Sequence, residues 1–134
     1  MRRLVLAVLI AIGLTGPLNA QNVDPITGVI QDQIEAFKQD DFVTAFSFAS
    51  PSIKQMFGSA DRFGMMVRQG YPMVWRPADV QYLDQSTEGG RVFQNVLITD
   101  AQGVPHLLEY QMIQTPEGWQ INGVRFLQAP AVGA

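Results

Sequence analysis

Arg91 to Leu127 reads RVFQNVLIT-DAQG-VPHLLEYQMIQ-TPEG-WQINGVRFL, three apolar-rich runs parted by two four-residue turn clusters. Each run has strand length and strand composition. Turns this short join antiparallel neighbours, because a parallel return needs a crossover of a dozen or more residues. Working backwards, Glu88-Gly89-Gly90 sets off one more candidate, so strands are expected at about Val80–Ser86, Arg91–Thr99, Val104–Gln114 and Trp119–Leu127. Together they predict a four-stranded antiparallel meander. On the third strand Leu108, Tyr110 and Met112 share one face, against Glu109 and Gln111 on the other. On the fourth, Val124 and Phe126 oppose Trp119, Ile121 and Leu127. Apolar residues on both faces suit a curved sheet whose concave side wraps a helix.

That helix is expected upstream. Asp24-Pro25 reads as an N-cap with proline at the first helical position, and Ile26, Val29, Ile30, Ile34 and Phe37 then recur on one helical face as far as about Gln39. Asp40-Asp41 caps a short helix bearing Phe42, Ala45, Phe46 and Ala49, and Ser50-Pro51 starts another that ends at Gly58. Ser59 or Asp61 opens a further helix through Phe63, Met66 and Val67 to Gly70. After Tyr71-Pro72, Met73 to Trp75 reads as extended, since Pro77 disfavours helix just before it. The fold class is therefore α+β: a long first helix and short helices packed on the curved sheet.

The first residues have the layout of an export signal. Arg2 and Arg3 precede an uncharged apolar run from Leu4 to Leu14, Thr15-Gly16-Pro17 breaks any helix, and Ala20 offers a small residue before a cut. Leu18 stands where a second small residue is usual. Eleven helical residues span only about 16 Å, well short of a hydrocarbon core of about 30 Å. The expected organisation is a removed leader at 1–20 and one domain at 21–134, periplasmic or secreted, with no stable membrane anchor after cleavage. Losing Arg2 and Arg3 takes the nine basic residues to seven against twelve acidic, a formal charge of −5. An acidic domain without basic clusters argues against nucleic acid as a partner. The chain has no cysteine, hence no disulfide, thiolate nucleophile or lipidated N-terminal cysteine.

Several segments also carry a resemblance. Gln33-Ile34-Glu35-Ala36-Phe37, Asp40-Asp41-Phe42, Ala45-Phe46-Ser47-Phe48-Ala49-Ser50-Pro51, Phe57-Gly58, Met66-Val67 and Tyr71-Pro72 resemble a family of short exported bacterial proteins known only as a domain of unknown function. The order of elements is similar to the nuclear transport factor 2-like, or cystatin-like, cone. The resemblance runs from about Ile26 to Phe126 and implies fold and compartment. It implies no reaction, ligand or catalytic residue.

The chemistry-bearing residues are sparse. His106 is the sole histidine, and a lone imidazole without cysteine partners makes a poor metal site and leaves the serines without a usual triad. Asp40 and Asp41 are adjacent carboxylates, which capping explains better than acid–base work. Gly89-Gly90 reads as a hairpin turn, with no phosphate-loop pattern around it. No catalytic, metal or cofactor-binding residue is expected. A pocket between the helices and the concave sheet would be lined by Tyr71, Trp75, His106, Glu109 and Tyr110. The leading expectation is a non-catalytic binding or interaction module whose partner is a small molecule or an envelope protein. One alternative is a small pocketed enzyme with a buried carboxylate base, and another is a homodimeric scaffold pairing through the outer face of its sheet.

Overall fold

The structure, a computed structural model, describes residues 24–127. The expected leader and its cut lie outside the described residues.

The first helix, α1, spans Pro25–Lys38, and the Asp24 carboxylate accepts from Ile26 N as expected of an N-cap. Its buried stripe holds Ile26, Ile30, Ile34 and Phe37, together with Gln33 and Ala36. Next come α2 (Phe42–Ser47), α3 (Pro51–Phe57) and α4 (Ala60–Gly70), capped by Asp41, Ser50 and Ser59 respectively. Gly58 closes α3 at φ 79°, a left-handed conformation that costs glycine nothing. Gly64 serves close approach instead: a Cβ there would lie 2.5 Å from the ring of Phe42, so α2 and α4 meet ring against backbone.

Two local expectations are corrected. Met73 to Trp75 is not extended, because Pro72–Trp75 forms one helical turn, α5. Proline supplies its first residue with a helical φ, and burial of Met73 and Val74 holds the turn against the core. Of the adjacent pair, only Asp41 caps, accepting from Thr44 N. Asp40 has φ 55° and turns its carboxylate to Trp75 Nε1 (2.9 Å) and Arg76 Nη2 (3.1 Å).

The sheet is the expected meander, in the order β1 (Asp79–Glu88), β2 (Arg91–Thr99), β3 (Pro105–Thr115), β4 (Gly118–Phe126), antiparallel throughout. Val92, Val96, Ile98, Leu108, Tyr110 and Met112 form the buried face under the helices. Phe93, Leu97, Leu107 and Ile113 alternate with them on the outer face, each partly exposed.

The fourth strand departs from simple alternation. Met112 pairs with Ile121, yet Gln111 pairs with Gly123, so Asn122 is an extra residue in β4. Such a bulge resets the period of two. Ile121 therefore shares the inner face with Val124 and Phe126, which pair with Tyr110 and Leu108. A second irregularity between Tyr82 and Gln85 bends β1. Both bends give the sheet the curvature that lets it wrap α1.

Candidate functional site

A cavity of about 310 Å³ lies where the helices meet the bulged end of the sheet. α1 contributes Gln33 and Phe37, α3 contributes Ile53, Met56 and Phe57, and α4 contributes Phe63, Met66 and Val67. Tyr71 and Val74 close one side, and Tyr110 with Ile121–Val124 forms the sheet wall. Of the wall residues Met56 is 70% exposed, whereas Tyr110 is fully buried. Phe63 organises the helical wall, with Phe37, Phe46 and Phe57 at ring-centroid distances of 5.8, 5.2 and 5.7 Å. Such edge and offset contacts hold aromatic walls rigidly.

The bulge also anchors the cavity. Ser50 N donates to Ile121 O (2.8 Å) and Ile121 N to Phe48 O (2.9 Å), a short pairing that ties the α2–α3 junction to β4. Ser50, completely buried, donates its hydroxyl to Asn122 Oδ1 (2.7 Å), and Asn122 Nδ2 donates to Gln111 Oε1 (2.6 Å). The extra residue is thus the one that reaches back to the helices.

Four residues bring polar side chains to the wall. Gln33 Nε2 donates to Ala45 O (3.0 Å), the Tyr71 hydroxyl to Val124 O (3.2 Å), and Asn122 is engaged as above. Tyr110 differs. Its buried hydroxyl has no hydrogen-bond partner among the described residues. Burial, reinforced by the neighbouring Tyr82 and Tyr71, pushes its ionisation far above the ordinary phenol range, so it stays neutral. An unpaired buried hydroxyl costs on the order of 1–3 kcal/mol. Among the described residues, Gln120 Oε1 is the other buried side-chain nitrogen or oxygen without a partner, and Gln120 is not part of the cavity wall.

The five residues expected to line a pocket separate. Tyr71 and Tyr110 are in the wall. Trp75 is not: α5 turns Met73 and Val74 inward and sends the indole toward Asp40, with Arg76 and Arg68 guanidinium carbons 4.0 and 4.9 Å from its ring centroid. Those bonds, from Trp75 first and Arg76 next, hold the Asp40 carboxyl below its usual range. Glu109 faces outward and accepts from Arg125 Nε at 2.7 Å. The alternation that buries Tyr110 requires this. His106 lies on the inner face but past the cavity, its Nε2 2.8 Å from Asp100 Oδ2, and Asp100 is thereby kept below its ordinary pKa, aided by Val104 N and Gln102 N.

Gln33, Ile53 and Asn122 enter the wall without having been singled out. Gln33 was legible, since it falls between Ile30 and Phe37 at three- and four-residue spacing. Nothing in the sequence marks Asn122 as a bulge. Among the described residues no cluster of three His, Asp or Glu could hold a metal, and no helix is long and apolar enough to cross a membrane.

A family model matches residues 19–134. The chain belongs to that family, the Domain of unknown function (DUF4864). No curated protein matches this DUF4864 chain. Among solved structures it is similar to a SEC-C motif containing protein from Rhodopseudomonas palustris, at 15% identity and TM-score 0.57, covering 84% of this chain and 88% of that one. An NTF-2 like protein of unknown function from Burkholderia xenovorans matches at 16% identity and TM-score 0.47, over 80% and 88% of the two chains. A phospholipid-binding protein from Ralstonia solanacearum, solved with a phospholipid, matches at 11% and TM-score 0.48, over 76% and 75%. Identities this low speak to fold alone. The DUF4864 domain has the expected α+β architecture, with its helices packed on a four-stranded antiparallel sheet.

Proposed function

We infer that this domain is an exported, non-catalytic binding module that takes a small molecule into the cavity between α1, α3, α4 and the bulged strand. The observation that carries this is the cavity itself, about 310 Å³ with a largely apolar wall that has no charged side chain. Apolar clefts with few polar groups are the usual small-molecule sites, and this one falls at the small end of their range. An enzyme using a buried carboxylate base is less well supported. All twelve acidic residues are among those described, none is buried, and none lines the cavity. Export rests on the Arg2–Ala20 layout, and the family match beginning at residue 19 agrees with a domain that starts near the expected cut. N-terminal sequencing of the protein recovered from its native host tests this part, and a protein beginning at Met1 would overturn it.

The binding reading is tested by thermal shift of the purified protein against metabolites, lipids and cell-wall fragments, since a ligand of the folded state raises apparent stability by mass action. Met66→Trp, which fills the cavity, is run in parallel after circular dichroism shows that it folds. Shifts that disappear in Met66→Trp are the expected result. Shifts that persist would place binding elsewhere, and a panel without a single shift would end the reading.

A further inference from the structure

The acidic charge of the domain is unevenly placed. From Phe42 to Arg76 the chain carries four basic residues and one acidic, whereas the rest of the chain after Ala20 carries three basic and eleven acidic. Pairing sharpens the contrast. Lys38, Arg76 and Arg125 are neutralised by Glu35, Asp40 and Glu109. Lys54 on α3, and Arg62 and Arg68 on α4, make no ion pair among the described residues. Outside these two helices only Arg91 is in the same state among the described residues.

Two of these cations border the cleft. Residues three or four apart on a helix lie side by side. Lys54 is therefore the neighbour of Phe57, and Arg62 of Met66, both in the wall. Asp61, the one acidic residue of α3 and α4, instead neighbours Gly64 and Met65, neither of which is in the wall. Arg68 turns elsewhere, its guanidinium carbon 4.9 Å from the ring centroid of Trp75.

The wall itself offers hydrocarbon. It has no charged side chain, and Gln33, Tyr71 and Asn122 are already bonded within the protein. A charge drawn into it would lose hydration without gaining a partner. The cleft is open to solvent, however, so a molecule can bury an apolar length there and keep a charged end in water beside α3 and α4. Met56 and Met66, unbranched and adaptable, suit a flexible chain.

We propose that the cleft takes the hydrocarbon chain of an anionic amphiphile, whose carboxylate or phosphate headgroup stays at the surface against Lys54 and Arg62. A free fatty acid and an anionic phospholipid share this chemistry. The proposal rests on the binding reading above and names its ligand class.

Two probes of opposite charge test it, decanoate and decylammonium, each kept below its aggregation concentration. Dissociation constants are measured by calorimetry for the wild type, for Met66→Trp and for the double variant Lys54→Gln, Arg62→Gln. Decanoate is expected to bind about tenfold tighter than decylammonium, the worth of two exposed ion pairs. The double variant is expected to bring that ratio close to one, and Met66→Trp to abolish binding of both probes. A ratio near one in the wild type, or one unmoved in the double variant, would overturn the headgroup assignment. Binding that persists in Met66→Trp would overturn the placement of the chain. Flotation with phosphatidylcholine vesicles, with and without phosphatidylglycerol, separates the sources. Association that requires phosphatidylglycerol assigns a membrane lipid, and decanoate binding without it assigns a free acid; both uphold the ligand class. Equal association with phosphatidylcholine alone would overturn it. If neither probe nor vesicle binds while panel ligands still depend on an unfilled cavity, this proposal fails and the binding reading survives. If the panel is silent too, both fail. Should the double variant not fold, salt decides: raising it from about 0.05 to about 0.5 M is expected to narrow the wild-type ratio, and a ratio that salt leaves unchanged would overturn the headgroup assignment.

Discussion

Gln94 and Tyr110 sit opposite each other across β2 and β3, both buried and both with a polar end inside the protein. Gln94 is fully engaged. Its Nε2 approaches the carbonyls of Leu83, Asp84 and Asn95 at 3.0, 3.4 and 2.9 Å, and its Oε1 accepts from Gln85 at 2.8 Å. It seals the irregularity in β1, and Tyr82 nearby donates its hydroxyl to Gln31 Oε1 across to α1 (2.7 Å). Tyr110, one strand over, has no such partner. Two buried polar groups in one cross-strand pair thus have opposite meanings. One is bonded on every side, and the other is closed in without a partner among the described residues. Burial alone does not say whether a polar group is bonded; the destination of each hydrogen does.

The contrast is broken most directly at Gln94. Gln94→Leu is expected to lower stability by about 3 kcal/mol, because it removes the amide from several buried carbonyls at once, as read by urea denaturation. A loss no larger than that of an ordinary surface change would show that the β1 irregularity does not need the amide. Ser50→Ala comes next, at about 1–2 kcal/mol, since Ser50 caps α3 and also holds the Asn122 bulge. If it cost nothing, the junction would not be what anchors the cavity wall.

Tyr110→Phe should fall within about 1 kcal/mol of the wild type without ligand, or be more stable, because the hydroxyl it deletes has no partner to lose. A loss matching that of Gln94→Leu would erase the distinction between the pair. The smallest effect sharpens the comparison by pH. Asp40, Asp41 and Asp100 all have lowered pKa values, from the bonds of Trp75, Thr44 and His106 respectively. A depressed carboxylate pKa contributes stability that is present above the unfolded value of 3.8 and is lost as pH falls through the folded one. Melting temperature should therefore hold as pH falls toward about 4 and then decline, and only modestly, since these carboxylates are solvent-screened. Affinity for a cavity ligand that does not itself titrate should stay level until that decline, the wall having no carboxylate. An affinity that tracked the titration of an acid would put a carboxylate in the site.

Most helices and all four strands were legible for local reasons. Asp24-Pro25 and Ser50-Pro51 announce helix starts because a cap and a proline act within three residues of themselves. Turn clusters specify the meander in the same way. The reading failed where one local rule met another: Pro72 can begin a helix, and the residue before Pro77 resists one, so Met73 to Trp75 could only be decided by burial of Met73 and Val74. For the site, the right aromatics were on the table but not their grouping. Alternation from buried Tyr110 already implied that Glu109 faces out, whereas nothing local sends Trp75 to Asp40.

What the sequence by itself determined is therefore every element except α5, their order, the antiparallel connectivity and the apolar face of α1, all consequences of caps, turns and periodicity within a few residues. Tertiary structure alone decided the bulge at Asn122, the return of Ile121 to the face of Val124, the tie from Ser50 to Asn122 and the partnerless state of Tyr110. The physical reason is range. A cavity and an unpaired hydroxyl are defined by which distant groups fail to meet, and Ser50 and Asn122 stand 72 residues apart in the chain. No periodicity in either segment encodes that meeting.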